Sequence, residues 1–273
     1  MIPDLQDWCE RALGSRPAEV FFRADSMSSV TGVRLADGRQ VALKVRSASD
    51  RVLACAQAQR AATAAGIDAP GLLAGPDLLG PATWVSAEEW RPDGSERPTG
   101  DPAGAYAELG RRLVVVLDGM EPARFAPPPP WAWYDHRTRG RVWAPAASRR
   151  WDPESDVVPR QLRRWAAAAQ ERLLAETPPF VVGHTDLNGL NVRWADGPVV
   201  HDWDSLAGRP ECVLAGILAA NHVELPGAGA IADLPGTAAV LAHYQQLRPF
   251  SASEVELAWA AGVWVAAYNA AFE

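Results

Sequence analysis

Lysine is almost missing from this 273-residue chain: Lys44 stands alone, and the other 25 of its 26 basic residues are arginine. Such a bias fits a GC-rich coding sequence, in which arginine stands wherever the two are equivalent. A lysine that persists then marks a position needing a compact, flexible ammonium; the competing reading is chance. Cysteine is scarce as well. Cys9, Cys55 and Cys212 are scattered, which excludes a disulfide framework and a zinc spacing and leads us to expect a reduced, cytoplasmic protein. No apolar run approaches the ~20 residues that span a bilayer, so no membrane association is expected. Met1–Asp7 is acidic and lacks the basic-then-apolar pattern of a secretion signal. The net charge of −7 argues against nucleic acid as a partner, which calls for a basic surface. What is present, 48% hydrophobic and 22% charged residues, is ordinary for a folded chain of one large domain or two small lobes.

The acidity is uneven. Residues 151–273 carry 15 Asp and Glu against 7 Arg, while residues 1–150 nearly balance. An acidic second half would attract a cationic ligand or a metal ion, or simply keep the chain soluble. Spacing predicts a helix over residues 4–14, then strands over 18–22, 29–35 and 41–45, the last two joined by an Asp37-Gly38 hairpin turn. A breaker-free stretch predicts a helix over 49–65 with Gly66 placed to cap it, and two short strands follow between Leu72 and Val85. Beyond a loop at 91–98, helices are expected over 102–118, 159–175, 212–222, 236–247 and 252–271, with a short strand at Phe180–Gly183. Residues 125–151 fit no regular element. Four prolines (127–130) precede Trp131, Trp133, Tyr134, Trp143 and Trp151; these rings could wall a substrate pocket by stacking or cation–π contact, or cover a core.

The segment richest in chemistry runs from Val182 to Ser205 and reads as strand, polar loop, strand, turn, strand. Its loop presents Asp186 and, five residues on, Asn191; a hairpin through Asp196-Gly197 would return Asp202 beside Asn191. Asp202 and Asp204, two apart, are expected on one face of the last strand. The three oxygen-bearing groups of Asp186, Asn191 and Asp202 suit a hard divalent cation such as Mg²⁺, and a carboxylate nearby can accept a proton from an attacking hydroxyl. Each piece has an ordinary reading as turn or cap. Their conjunction, with a lone lysine on an upstream strand, does not.

With these residues the sequence resembles the aminoglycoside phosphotransferases, within the choline-kinase-like small-molecule kinases. His184-Thr185-Asp186 matches the family's His-Gly-Asp loop, Asn191 its downstream asparagine, Val200-His201-Asp202-Trp203-Asp204 its Asp-Trp-Asp/Glu segment, and Val41-Ala42-Leu43-Lys44 its strand lysine. The resemblance implies an α+β, bilobal protein-kinase-like fold: a small antiparallel-sheet N-lobe (1–91) and a larger, mainly helical C-lobe (92–273). It implies ATP-dependent phosphorylation, with GTP as the alternative nucleotide, of a hydroxyl on a small, cationic acceptor, an aminoglycoside-like antibiotic or related metabolite. By the same resemblance Asp186 is the catalytic base, Asn191 and Asp202 hold Mg²⁺, and Lys44 holds the nucleotide phosphates. Asp204 becomes a substrate-side carboxylate and His184 a structural brace. Ser28 and Ser29 lie in the loop over the phosphates, and the adenine-binding linker falls at residues 86–90, including Glu88, Glu89 and Trp90. Trp131 and Trp133 are candidate acceptor contacts.

Three departures stand out. Residues 47–66 hold no glutamate to pair with Lys44, only Gln57, Gln59 and Asp50, so a different carboxylate must substitute or nucleotide binding suffers. Thr185 replaces a glycine, a mild change, and the tryptophan-rich stretch 131–151 has no counterpart. The alternative function is a nucleotide-binding pseudokinase with little turnover, which the missing glutamate favours and the retained Lys44, Asp186, Asn191 and Asp202 oppose. A metal-dependent hydrolase would leave Lys44 unexplained.

Overall fold

In the computed structural model, residues 3–25, 28–136, 140–144, 158–225 and 229–272 are described. They form two compact units, Met1–Asp93 and Gly94–Glu273, in an α+β architecture.

The first unit is a five-stranded antiparallel sheet with two helices. Helix α1 (Pro3–Leu13) precedes β1 (Pro17–Asp25), β2 (Ser29–Leu35) and β3 (Gln40–Ser47); helix α2 (Asp50–Ala64) leads to β4 (Leu72–Gly80) and β5 (Thr83–Glu89). The spatial order is β1-β2-β3-β5-β4. At the Asp37-Gly38 turn, Gly38 takes φ 91°, open to glycine at little cost, and Arg39 N–H donates to Asp37 Oδ1. Alternation sorts the sheet into two faces. Val33, Leu35, Val41, Leu43, Val85 and Ala87 join Leu5, Trp8 and Cys9 of α1 in one apolar core. The intervening Ala42, Lys44, Ser86 and Glu88 therefore point to the opposite face. Burial pushes the Cys9 thiol up to about 11, so it stays an inert thiol. Helix α2 ends as expected, with Gly66 at φ 87° and Ile67 N–H returning to Ala62 O.

The second unit is mainly helical: α3 (Pro102–Val116), α4 (Arg160–Ala175), α5 (Glu211–Asn221), α6 (Leu234–Leu247) and α7 (Ala252–Phe272). Short strands β6 (Phe180–His184), β7 (Val192–Trp194), β8 (Pro198–Val200) and β9 (Leu206–Pro210) lie between α4 and α5. Helix α5 is buried from Cys212 to Asn221, which explains its unbroken apolar sequence. It meets α7 at Gly216, where an added Cβ would stand 1.9 Å from Ala258 O. Gly216→Ala must push two helix backbones apart. It should cost about 3 kcal/mol, the upper end of ordinary overpacking, and a lowered thermal midpoint would register it.

One open reading is decided here and one expectation changes. In the tryptophan-rich stretch, short 3-10 turns at Pro122–Phe125 and Pro130–Ala132 order the chain, and Tyr134 and Trp143 are buried, Trp143 completely. Those two rings fill the core and cannot wall a solvent-open pocket; Trp151 lies outside the described residues. Nor does the strand β8 reach the aspartates. It ends at Val200, after which Asp202 takes a left-handed conformation (φ 52°, ψ 55°) and Asp204 sits in a 3-10 turn, Trp203–Ser205. Leaving the strand breaks the two-residue periodicity, so Asp202 and Asp204 do not share a strand face.

Candidate active site

Strands β6 and β9 pair antiparallel with His184 opposite Leu206, and β7 and β8 form a hairpin with Val192 opposite Val200. The next step of that hairpin, His201 N–H to Asn191 O at 2.8 Å, brings the Asp202 segment alongside Asn191 as its spacing predicts. The loop 185–191 is held between these two pairs of strands.

His184 fastens both sides of it. Its Nδ1 accepts the Asp186 N–H at 3.2 Å, which assigns the proton to Nε2, and Nε2–H donates to His201 O at 3.0 Å. The ring is buried, and its edge meets Trp203, whose indole N–H donates to Val200 O. Thr185 does far more than a mildly altered glycine would. Its N–H and hydroxyl both donate to Ser205 O, at 3.0 and 2.7 Å. Its Oγ1 accepts the indole N–H of Trp131 at 3.0 Å, and its carbonyl accepts Asn221 Nδ2 at 3.2 Å from the end of α5.

The Asp186 carboxylate is gripped by two amides. Asn188 Nδ2 donates to Oδ1 at 2.9 Å; Asn191 Nδ2 donates to Oδ2 at 2.7 Å and to the Asp186 carbonyl at 2.9 Å. With its NH₂ so engaged, Asn191 keeps Oδ1 as an acceptor. Asp202 Oδ2 accepts the Ser205 hydroxyl at 2.8 Å, which leaves Oδ1. Neither Asn191 Oδ1 nor Asp202 Oδ1 accepts a hydrogen bond from a described residue. Two hard oxygens on adjacent segments fit a divalent cation that takes its remaining ligands from phosphates and water, as Mg²⁺ does. No group of three or more His, Cys, Asp or Glu able to hold a metal occurs among the described residues.

The remaining candidates fall as follows. Asp204 is half-buried in its 3-10 turn. Trp131 and Trp133 are half-buried; Trp131 spends its N–H on Thr185, and Trp133 stands edge-on to His136. This segment is anchored by buried Arg209, which donates to Ala132 O at 2.8 Å and Asp135 Oδ1 at 3.0 Å and lies over the Tyr134 ring. In the first unit, Ser29 opens β2 opposite Asp25, and Ser28 precedes it; residues 26–27 of that loop lie outside the described residues. The expected linker at 86–90 starts too early. Strand β5 continues through Glu89, with Glu88 opposite Ala42 of β3 and Leu72 of β4. A strand with ladders on both sides has its backbone groups committed. Glu89 also accepts the Gly71 N–H on its carboxylate, and Trp90 packs edge-on to Phe21. Glu88 turns inward instead, to Lys44: Nζ and Oε2 are 3.1 Å apart, with the residues 7% and 5% exposed. Sequence reasoning missed this pair, although the alternation Val85-Ser86-Ala87-Glu88 signalled it.

Next to Asn221, His222 is buried against Tyr106, and burial lowers its pKa below the usual 6.5. The unfolded chain thus takes up this proton more readily than the folded one, so the stability held above about pH 6.5 drains away as the pH falls. Thermal midpoints should drop on acidification, and less steeply in His222→Gln.

No protein-family model matches the sequence, and no curated protein matches it. Solved structures do share the fold. An amicoumacin kinase in complex with AMP-PNP and Ca²⁺ superposes with a TM-score of 0.62 at 14% identity, over 90% of this chain and 79% of that one. Spectinomycin phosphotransferase in complex with ADP and its antibiotic gives 0.55 at 11%, over 88% and 78%. An aminoglycoside-3'-phosphotransferase of type VIII gives 0.53 at 17%, over 96% and 98%. The fold is that of the aminoglycoside phosphotransferases.

Proposed function

We propose that this chain, on the fold it shares with aminoglycoside phosphotransferases, transfers the γ-phosphoryl group of ATP to a hydroxyl of a small, cationic acceptor. The observation that carries the reading is the Asp186 carboxylate, oriented by Asn188 and Asn191 in a loop that His184 and Thr185 pin to the Asp202 segment. Phosphoryl transfer asks for positioning and charge neutralisation more than covalent chemistry. Asp186 takes the proton of the acceptor hydroxyl while that oxygen bonds to the γ-phosphorus. The bond to the β,γ-bridging oxygen breaks, and ADP departs with its electron pair. Asn191 and Asp202 would hold a divalent cation, which when bound neutralises phosphate charge. Lys44 supplies the ammonium for the nucleotide phosphates, and Asp204 offers a carboxylate on the acceptor side. Trp131 and Trp133 are secondary candidates for the acceptor surface. The acidic residues 151–273 suit a cationic acceptor, and the scattered cysteines suit a cytoplasmic location.

The test is an acceptor screen of basic antibiotics and small alcohols, with ATP or GTP and Mg²⁺, read as ADP release and as product mass. An acceptor gaining one phosphoryl group supports the proposal. Nucleotide binding without turnover on any acceptor would move the chain to a pseudokinase.

A further inference from the structure

The sequence left Lys44 without the customary helix glutamate. No glutamate lies in Asp50–Ala64, and the buried Gln59 commits its amide to Pro70 O at 3.0 Å. A carboxylate that does meet Lys44 comes from the sheet itself. On β3 and β5, Ala42 is opposite Glu88 and Lys44 opposite Ser86, so Lys44 and Glu88 are diagonal neighbours on one sheet face, within reach for long side chains. Both are nearly buried, and their charged ends are 3.1 Å apart. Ser86, between them on β5, is held by Arg46 Nη2 at 2.6 Å.

We propose that Glu88 is the positioning residue for the phosphate-binding lysine, a role built into two paired strands instead of a strand and a helix. This rests on the proposed phosphotransfer only for what Lys44 binds, not for what holds it. The chemical consequence is a lysine aimed by backbone ladders. Where such a carboxylate sits on a separate helix, displacement of that helix breaks the pair. Here β3 and β5 are paired over seven residue pairs, Val41–Ser47 with Thr83–Glu89, so Lys44 and Glu88 stay neighbours on one face for as long as the sheet is intact. The lysine is thus aimed before nucleotide arrives. Glu88 acts through Lys44 and is not itself assigned a contact with substrate.

The single lysine makes the test direct. In protein labelled with ¹³C-lysine, all side-chain lysine signal belongs to Lys44. A side chain fixed in an asymmetric site shows two distinct ε-methylene proton shifts; one released to rotate shows them merged. Wild type should show two, and Glu88→Gln should merge them. Calorimetry on the same samples should show Glu88→Gln weakening Mg-ATP by roughly tenfold to a hundredfold, the worth of a charged hydrogen bond, with adenosine binding unchanged. A merely structural role would weaken both alike. If burial of an unpaired Lys44 unfolds that variant, Glu88→Asp supplies the answer: the charge is kept but set back by one methylene, so the ε-shifts should move and Mg-ATP should weaken selectively. The folded double variant Lys44→Met/Glu88→Met then checks that the sheet survives without the pair. Two resolved ε-shifts with wild-type Mg-ATP affinity in Glu88→Gln or Glu88→Asp would overturn the proposal, as would equal losses for adenosine and ATP. If wild type binds no nucleotide, the phosphotransferase reading fails, and the ε-shifts alone decide whether Glu88 holds Lys44.

Discussion

Asp186→Asn should lower turnover by about a thousandfold, inside the range that a positioned general base contributes, while Mg-nucleotide affinity stays close to wild type. The substitution keeps size and shape, so the loop is not emptied. What changes is proton affinity: an amide cannot take the proton of the acceptor hydroxyl. Structural damage should be small, because the carbonyl of the new asparagine can still accept from one of the two amides, Asn188 or Asn191, that now hold the carboxylate. Asn191 is the donor able to let go, since it is half-buried and its Nδ2 also donates to the Asp186 carbonyl. Steady-state kinetics with a confirmed acceptor and calorimetry with nucleotide separate the two effects. An Asp186→Asn enzyme of undiminished rate would remove Asp186 from the mechanism.

Asp202→Asn should fail earlier, at nucleotide binding. Asparagine is the informative replacement because it tolerates the left-handed backbone that residue 202 adopts, whereas alanine would confound ligand loss with strain. One anionic oxygen is exchanged for a neutral one, and the amide has a donor to misdirect. If the cation supplies several kcal/mol of charge stabilisation, turnover falls by about a thousandfold or more. The enhancement of nucleotide affinity by Mg²⁺ should disappear with it, while divalent-independent binding through the first unit survives. An unchanged Mg²⁺ titration would contradict the assignment of Asp202 as a ligand.

Much of this molecule could be read from its residues, because the strongest signals are local. The Asp37-Gly38 turn, the Gly66 cap and the period of each helix depend on neighbours a few positions away, and the elements fall within a few residues of their expected bounds. The spacing of His184, Asp186, Asn191 and Asp202 likewise reflects one continuous strand-loop-hairpin segment. What escaped was set by distant partners. Glu88 reads as linker until β5 is seen to pair on both sides, since alternation over four residues competes with a family expectation. Thr185 reads as a small deviation until Trp131, 54 positions away, and Asn221 are found bonded to it. Tyr134 and Trp143 are large rings in a proline-rich stretch, readable as pocket wall or as core, and their burial decides for core. Asp202 was assigned to a strand because period-two reasoning carries no information about where a strand stops.

That backbone at Asp202 has a consequence for anyone engineering the chain. It is the one non-glycine residue at positive φ among those described, a conformation costing on the order of 1 kcal/mol that glycine escapes. Glycine at position 202 would relieve that backbone, release the Ser205 hydroxyl from its acceptor and delete a proposed ligand of the reaction. Wherever relief of the backbone outweighs that lost hydrogen bond, thermotolerance and catalysis pull this position in opposite directions, and libraries screened by melting temperature alone would admit folded, inactive proteins at residue 202.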